Sequence, residues 1–242
     1  MIGSITAVAG IIIGAIYISG FATILSTLLV TLGEESLLVM LLTTAVLCII
    51  MGMGMPTASI YIILAIIVAP SLVNLGLIPM AAHLFIFYFG IMSMITPPVC
   101  FAAYAGAAIA GANPTKTGFY ASRFGIAAYI VPFIFVYSPA LLLVGGVQDI
   151  LLVVMKSLVG LSLLAVALSG FLFRNLGWSR RILIGLGAFA LLMPPISEVP
   201  VEAWMLNIGG AVLAVVVVFF ELMHRRAHLT AASSQLEREF ST

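Results

Sequence analysis

Long apolar runs separated by short polar or glycine-rich punctuation make up nearly the whole chain. The punctuation falls at Gly33–Ser36, Asn74–Pro79, Gly111–Gly118, Gly145–Asp149, Arg174–Arg181 and Ser197–Glu202. A helix needs about 20 apolar residues to cross the hydrocarbon of a bilayer. By that measure the runs from Ile5 to Leu32, Tyr120 to Val144, Ile150 to Phe173 and Ala203 to Met223 each predict one crossing helix. The run from Ile182 to Ile196 is shorter and ends in Met193-Pro194-Pro195, which predicts a thin span or partial entry. Beyond Met223 the chain turns polar and mixed in charge, which predicts a solvated tail over 224–242.

Two regions break the rule of one run, one span. Between Ser36 and Leu75 the apolar run is about twice one span in length. Gly52-Met53-Gly54-Met55-Pro56-Thr57 interrupts it near the middle. Two glycines and a proline there argue against a continuous helix. Between Pro79 and Gly111, two arms of about 13 to 15 residues flank Thr96-Pro97-Pro98, each too short to cross comfortably. Two half-length helices meeting at a proline pair predict a re-entrant hairpin that enters the membrane and returns to the same face. The alternative reading is a kink whose backbone is repaired by Ser, Thr or neighbouring helices.

Composition fixes the solvent. Hydrophobic residues make up 64% of the 242 and charged residues 7%, with a mean hydropathy of +1.32. A soluble chain of this size carries about a quarter of its residues charged, so most of this one faces lipid. The formal net charge of +1 lacks the clustered basic footprint that nucleic acid demands, so no nucleic-acid partner is expected. Cys48 and Cys100 stand far apart in apolar surroundings and read as small hydrophobes rather than a disulfide. The first residues lack a basic segment and a small-residue cleavage site, so they read as the interior of a membrane protein rather than a signal peptide.

A helix broken inside a membrane has chemical consequences. Pro97 and Pro98 have no amide hydrogen and suit the first turn of the second arm, whose free amides then face the tip. The first arm ends at Ile95 and Thr96 with carbonyls that no helical amide reaches. Such groups cost several kcal/mol in lipid and are tolerated only against protein, water or a ligand. Carbonyl ends attract cations and amide ends attract anions, and broken helices of this kind build midplane sites for Na⁺ and organic anions in secondary transporters. The same logic applies at Gly52 to Thr57. Between Ser36 and Gly111 there is no Asp, Glu, Lys or Arg, so a carboxylate held there relies on helix ends, hydroxyls, co-bound Na⁺ or other chains.

These words, in order, carry a family resemblance: the Gly52-Met-Gly-Met-Pro-Thr57 break, the Ala81-Ala-His-Leu-Phe-Ile-Phe-Tyr-Phe-Gly90 arm, the Thr96-Pro-Pro-Val99 tip, the Ala110-Gly-Ala-Asn-Pro-Thr-Lys-Thr-Gly118 loop and the Val131-Pro-Phe-Ile-Phe-Val-Tyr-Ser-Pro-Ala-Leu-Leu142 span. The sequence resembles the C-terminal part of the fused permease of tripartite ATP-independent periplasmic (TRAP) transporters, of the TAXI branch, over about Ile11 to Leu143. The resemblance implies an all-α polytopic membrane protein of the bacterial inner membrane, with one broken helix and one re-entrant hairpin forming one inverted repeat of an elevator-type fold. It implies a sodium-coupled importer of organic acids, fed by a periplasmic substrate-binding protein, with Na⁺ as coupling ion and no other cofactor. Ion and substrate contacts carry over to Gly52, Gly54, Pro56, Thr57, Thr96, Pro97 and Pro98, with Gly52, Gly54, Thr57 and Thr96 as the Na⁺ candidates.

The expected organisation is a transport repeat over 1–146, with the broken helix at 36–75 and the hairpin at 79–111. Additional helices follow over 147–223, and the tail over 224–242. Relatives contain two inverted repeats and a small membrane subunit, fused in this branch, whereas one broken-helix-plus-hairpin unit is visible here. The expectation is therefore a piece or split subunit of a permease, partnered by the remaining half and the small membrane subunit. His83 reads as a packed, hydrogen-bonded histidine, and Lys156 as a cation near a span end that snorkels to the interface. Intramembrane proteases need paired carboxylates, a Ser/His pair or a zinc-binding H-E-x-x-H, and none is present. The competing class is a non-transporting scaffold, to which the small-residue run Ala105–Gly111 would offer helix packing.

Overall fold

A computed structural model describes residues 2–172, 175–193, 205, 207–210 and 212. Most of the expected span from Ala203 to Met223, the Pro194-Pro195 pair, the Ser197–Glu202 loop and the 224–242 tail lie outside the described residues. Regular structure among the described residues is helical, and the fold is an all-α polytopic membrane protein. The chain divides into two compact units, Met1–Leu142 and Leu143–Thr242.

The first unit opens with α1 (Ile2–Ile18) and α2 (Phe21–Glu35). The single span expected from Ile5 to Leu32 is instead bent by 73° between Gly10–Ile18 and Phe21–Glu35. Gly20 sits at the bend with a φ of +72°, a conformation that costs a Cβ-bearing residue about 1–2 kcal/mol. The Ser19 hydroxyl completes the corner by donating to the Ile16 carbonyl at 2.9 Å and accepting the Phe21 amide at 3.4 Å. A hydropathy window averages over such a corner and reads one helix.

The long run after Ser36 divides into α3 (Leu37–Gly52), α4 (Thr57–Ile67) and α5 (Ala69–Asn74). Ser36 caps α3 by accepting the Val39 amide. The break expected at Gly52–Thr57 is present, and a second, unexpected one falls at Val68, just ahead of Pro70 in the first turn of α5. The hairpin region comprises α6 (Pro79–Met92), a 3-10 turn at Ser93–Ile95, a tip whose Pro97–Pro98 bond is cis, and α7 (Phe101–Ala110). At about 1.5 Å per residue, α6 and α7 reach roughly 21 and 15 Å, well short of a ~30 Å hydrocarbon core. Gly111, with a φ of +62°, ends α7.

α8 (Pro114–Phe124) and α9 (Ile126–Tyr137) follow as a 24-residue apolar stretch long enough to cross a membrane. The expected limits, Tyr120 to Val144, are displaced at both ends. Asn113 accepts the Lys116 amide at 3.1 Å, and Pro114 fills the first helical position, so the helix starts inside the polar loop. Ser138 precedes Pro139 and is pushed out of helical geometry, so the helix ends at Tyr137.

In lipid, helices gain little from burying apolar surface against one another, because the acyl chains are equally apolar; close packing at small residues decides the association. The first unit packs around α6, which lies against α3, α4 and α9, while α7 leans on α8 and the 3-10 turn. Phe85 and Phe89 meet Phe133 of α9 at ring-centre distances of 5.5 and 5.7 Å. On the opposite side Gly90 admits Ile60 of α4: a Cβ at Gly90 would lie 2.7 Å from the Ile60 side chain.

In the second unit α10 (Val147–Ser169) is about 35 Å long, long enough to cross, and pairs with α11 (Trp178–Leu192). Each helix supplies a cation to the other's carbonyl end. Arg181 donates to the Ala167 and Leu168 carbonyls at 3.0 and 2.9 Å, and Lys156 donates to the Met193 carbonyl at 3.2 Å. Lys156 therefore lies within α10 and caps a neighbouring helix instead of snorkelling from a span end. Removing a charged donor from paired carbonyls costs about 2 kcal/mol. Arg181→Met is expected to raise hydrogen exchange near the end of α10, around residues 166–170, roughly thirtyfold, measured by peptide-level mass spectrometry.

Candidate functional site

The break between α3 and α4 and the tip between α6 and α7 come together. Gly52, the buried last residue of α3, lies so close to the end of α6 that an added Cβ would stand 2.8 Å from the Gly90 carbonyl and 2.7 Å from the Ser93 hydroxyl. Ser93 donates to that same Gly90 carbonyl at 2.6 Å, so glycine at 52 leaves room for a buried hydrogen bond within the end of α6. Gly54 serves differently. Its φ is +84°, and an added Cβ would meet only the Phe101 ring, at 3.8 Å. One glycine of the break is required for space and the other for backbone conformation.

Pro56 is extended and hands the chain to α4, whose first residue is Thr57. Gly54, Pro56 and Thr57 are exposed within this unit. Thr57 makes no hydrogen bond to Thr96: of the four sodium candidates, Gly52 packs against the end of α6, Thr96 lies in the tip, and Gly54 and Thr57 are exposed.

At the tip the backbone is closed largely by side chains. The Thr96 hydroxyl donates to the Met92 carbonyl at 2.6 Å, and the Tyr129 hydroxyl of α9 lies 2.6 Å from the same oxygen. Thr96 has a single hydroxyl hydrogen, so with that hydrogen on Met92 the phenol of Tyr129 is the donor. The Ile95 carbonyl accepts the Ser122 hydroxyl of α8 at 2.7 Å, and the Pro98 carbonyl accepts the Tyr104 hydroxyl of α7 at 2.6 Å. The Thr96 carbonyl accepts the Cys100 amide at 3.3 Å. The carbonyls at Ile95 and Thr96, expected to lack an amide, thus find one hydroxyl and one amide within the protein. Each carbonyl and hydroxyl oxygen keeps a further lone pair.

Ser93, Tyr104, Ser122 and Tyr129 are absent from the sequence-derived site. Their signal is weak but present: Ser122 and Tyr129 stand seven residues apart, two helical turns, on one face of the α8–α9 stretch. Cys100 is buried under the tip, and an added Cβ at Gly118 of α8 would lie 2.5 Å from its sulfur. His83 is packed and hydrogen-bonded: its Nδ1 lies 3.2 Å from the Tyr61 hydroxyl, tying α6 to α4. Among the described residues no group of three or more His, Cys, Asp or Glu side chains gathers around a common point, and with no Asp or Glu from Ser36 to Gly111 the oxygens of the break and tip are carbonyls and hydroxyls.

A family model described as tripartite ATP-independent periplasmic transporter, DctM component, matches residues 1–150. The chain belongs to this transporter family. The match spans the broken run, the tip and the α8–α9 stretch, and it makes the chain a membrane permease component rather than an enzyme. No curated protein and no solved structure matches the chain.

Proposed function

We propose that this TRAP permease component acts in a sodium-coupled, binding-protein-dependent secondary transporter that imports organic acids across the bacterial inner membrane. The observation that carries the reading is the meeting of two helix breaks in a charge-free region, where Gly52 abuts Gly90 and Ser93. Na⁺ is a hard cation that takes neutral oxygens, and carbonyls and hydroxyls are what the break and tip offer. Na⁺ bound there would in turn supply the positive charge that a substrate carboxylate needs, since no Lys or Arg lies between Ser36 and Gly111. Gly52, Gly54, Pro56, Thr57, Thr96, Pro97 and Pro98 remain the assigned contacts. The sequence resemblance supports a place in the TAXI branch and in the C-terminal part of a fused permease. The remaining half, the small membrane subunit and a periplasmic substrate-binding protein are its partners.

Thermal unfolding of the detergent-purified chain in NaCl against equal choline chloride tests the ion site. A ligand that binds the folded state with a half-saturation near 10 mM stabilises by about 1.4 kcal/mol at 100 mM. The midpoint is then expected to rise by roughly 3–6 °C in sodium alone. Thr57→Ala is expected to reduce that difference by at least half. A midpoint that ignores sodium would favour a scaffold, which has no reason to bind the ion.

A further inference from the structure

We infer that Ser122 and Tyr129, carried by α8 and α9, are positioning residues that latch the proline tip and set the Thr96 hydroxyl for a cation. The inference rests on the ion-site reading above and deepens it. Both side chains reach across from one continuous apolar stretch to the same short segment. Ser122 takes the Ile95 carbonyl at 2.7 Å and Tyr129 takes the Thr96 oxygen at 2.6 Å.

The consequence at Thr96 follows from counting its hydrogen and lone pairs. Its one hydrogen is committed to the Met92 carbonyl and one lone pair to the Tyr129 phenol. What the oxygen presents to anything further is a single lone pair in a fixed direction, an acceptor only, which suits a cation and repels none of its charge. Without the phenol, the hydroxyl keeps its bond to Met92 but loses the second anchor that fixes the oxygen. The Tyr129 ring is itself held by Phe89 at a ring-centre distance of 6.4 Å, so the latch is anchored in the aromatic seam between α6 and α9. Thr96 and Ile95 are the last residues before the prolines, so both latch points act at the root of the tip.

Cys100 supplies a local reporter, because its sulfur is buried against Gly118 of α8 and is uncovered if the tip lifts from that helix. Alkylation of Cys100 in the full chain, in choline chloride, would be followed by peptide mass for wild type, Tyr129→Phe, Ser122→Ala and the control Tyr61→Phe. The control removes a hydrogen bond to His83 elsewhere in the same unit. The expected result is a roughly tenfold faster reaction in both Tyr129→Phe and Ser122→Ala and an unchanged rate in Tyr61→Phe. A wild-type rate in both variants, or an equal acceleration in the control, overturns the latch. In parallel, the half-saturating NaCl of the thermal shift is expected to rise severalfold in Tyr129→Phe, with sodium still preferred over choline. An unchanged half-saturation alongside a faster Cys100 overturns the setting of Thr96. A wild type without any sodium shift, together with faster Cys100 in both variants, retains the latch and removes the ion-site reading alone.

Discussion

Gly52→Val is expected to lower the unfolding midpoint by roughly 6–12 °C. A Cβ at this position meets the Gly90 carbonyl at 2.8 Å, which is backbone and cannot rotate away, and the Ser93 hydroxyl at 2.7 Å. Relief requires α3 to move away from α6 or the Ser93 side chain to give up its 2.6 Å bond to Gly90. Overpacking of this kind costs about 3 kcal/mol, and at 2–4 °C per kcal/mol for a chain of this size the shift follows. Gly54→Ala is the contrasting case. The nearest atom to its Cβ is 3.8 Å away, so only the left-handed backbone is penalised, by about 1–2 kcal/mol. Thermal unfolding in choline chloride measures both, and equal effects would mean that the close approach of α3 to α6 does not constrain the fold.

Thr96→Ala is expected to abolish the sodium-specific rise in midpoint, whereas Thr96→Ser keeps it. Alanine removes the oxygen that links Met92 and Tyr129, leaving a carbonyl and a phenol without their partner inside the unit. Each such loss costs about 1–3 kcal/mol, so the midpoint in choline also falls. The decisive quantity is the difference between NaCl and choline chloride, which a purely structural role for Thr96 would leave intact while both midpoints fall together. Serine retains the hydroxyl and loses a methyl group, so it separates the oxygen from the packing. Survival of the full sodium difference in Thr96→Ala would remove Thr96 from the ion site.

Reading the chain without its structure succeeds where the signal is one-dimensional. Glycine and proline clustered in an apolar run mark Gly52–Thr57 and Thr96–Pro98 as helix interruptions, because each weakens a helix and together they outweigh its remaining hydrogen bonds. It fails where one residue outweighs an average. Gly20 turns an apparent single span by 73°, and Asn113-Pro114 starts a helix within what looks like a loop. Lys156 looks like a cation that escapes to the interface, yet it finds the Met193 carbonyl on a helix that begins more than twenty residues later.

Solvent, helical class, the absence of charge around Gly52–Thr57 and Thr96–Pro98 and the place of those two breaks were determined by the sequence alone. They depend on composition and on backbone chemistry that each residue carries with it. Tertiary structure decided the rest: that Gly52 is a glycine for lack of room, that Gly54 is one for its φ of +84°, and that Ser122 and Tyr129 close the tip. The physical reason is that the Ile95 carbonyl, unlike those of Met92, Thr96 and Pro98, finds no partner among its near neighbours in sequence. Its partner is whichever hydroxyl the packing of α8 and α9 brings within 3 Å, and that distance exists only once the helices have met.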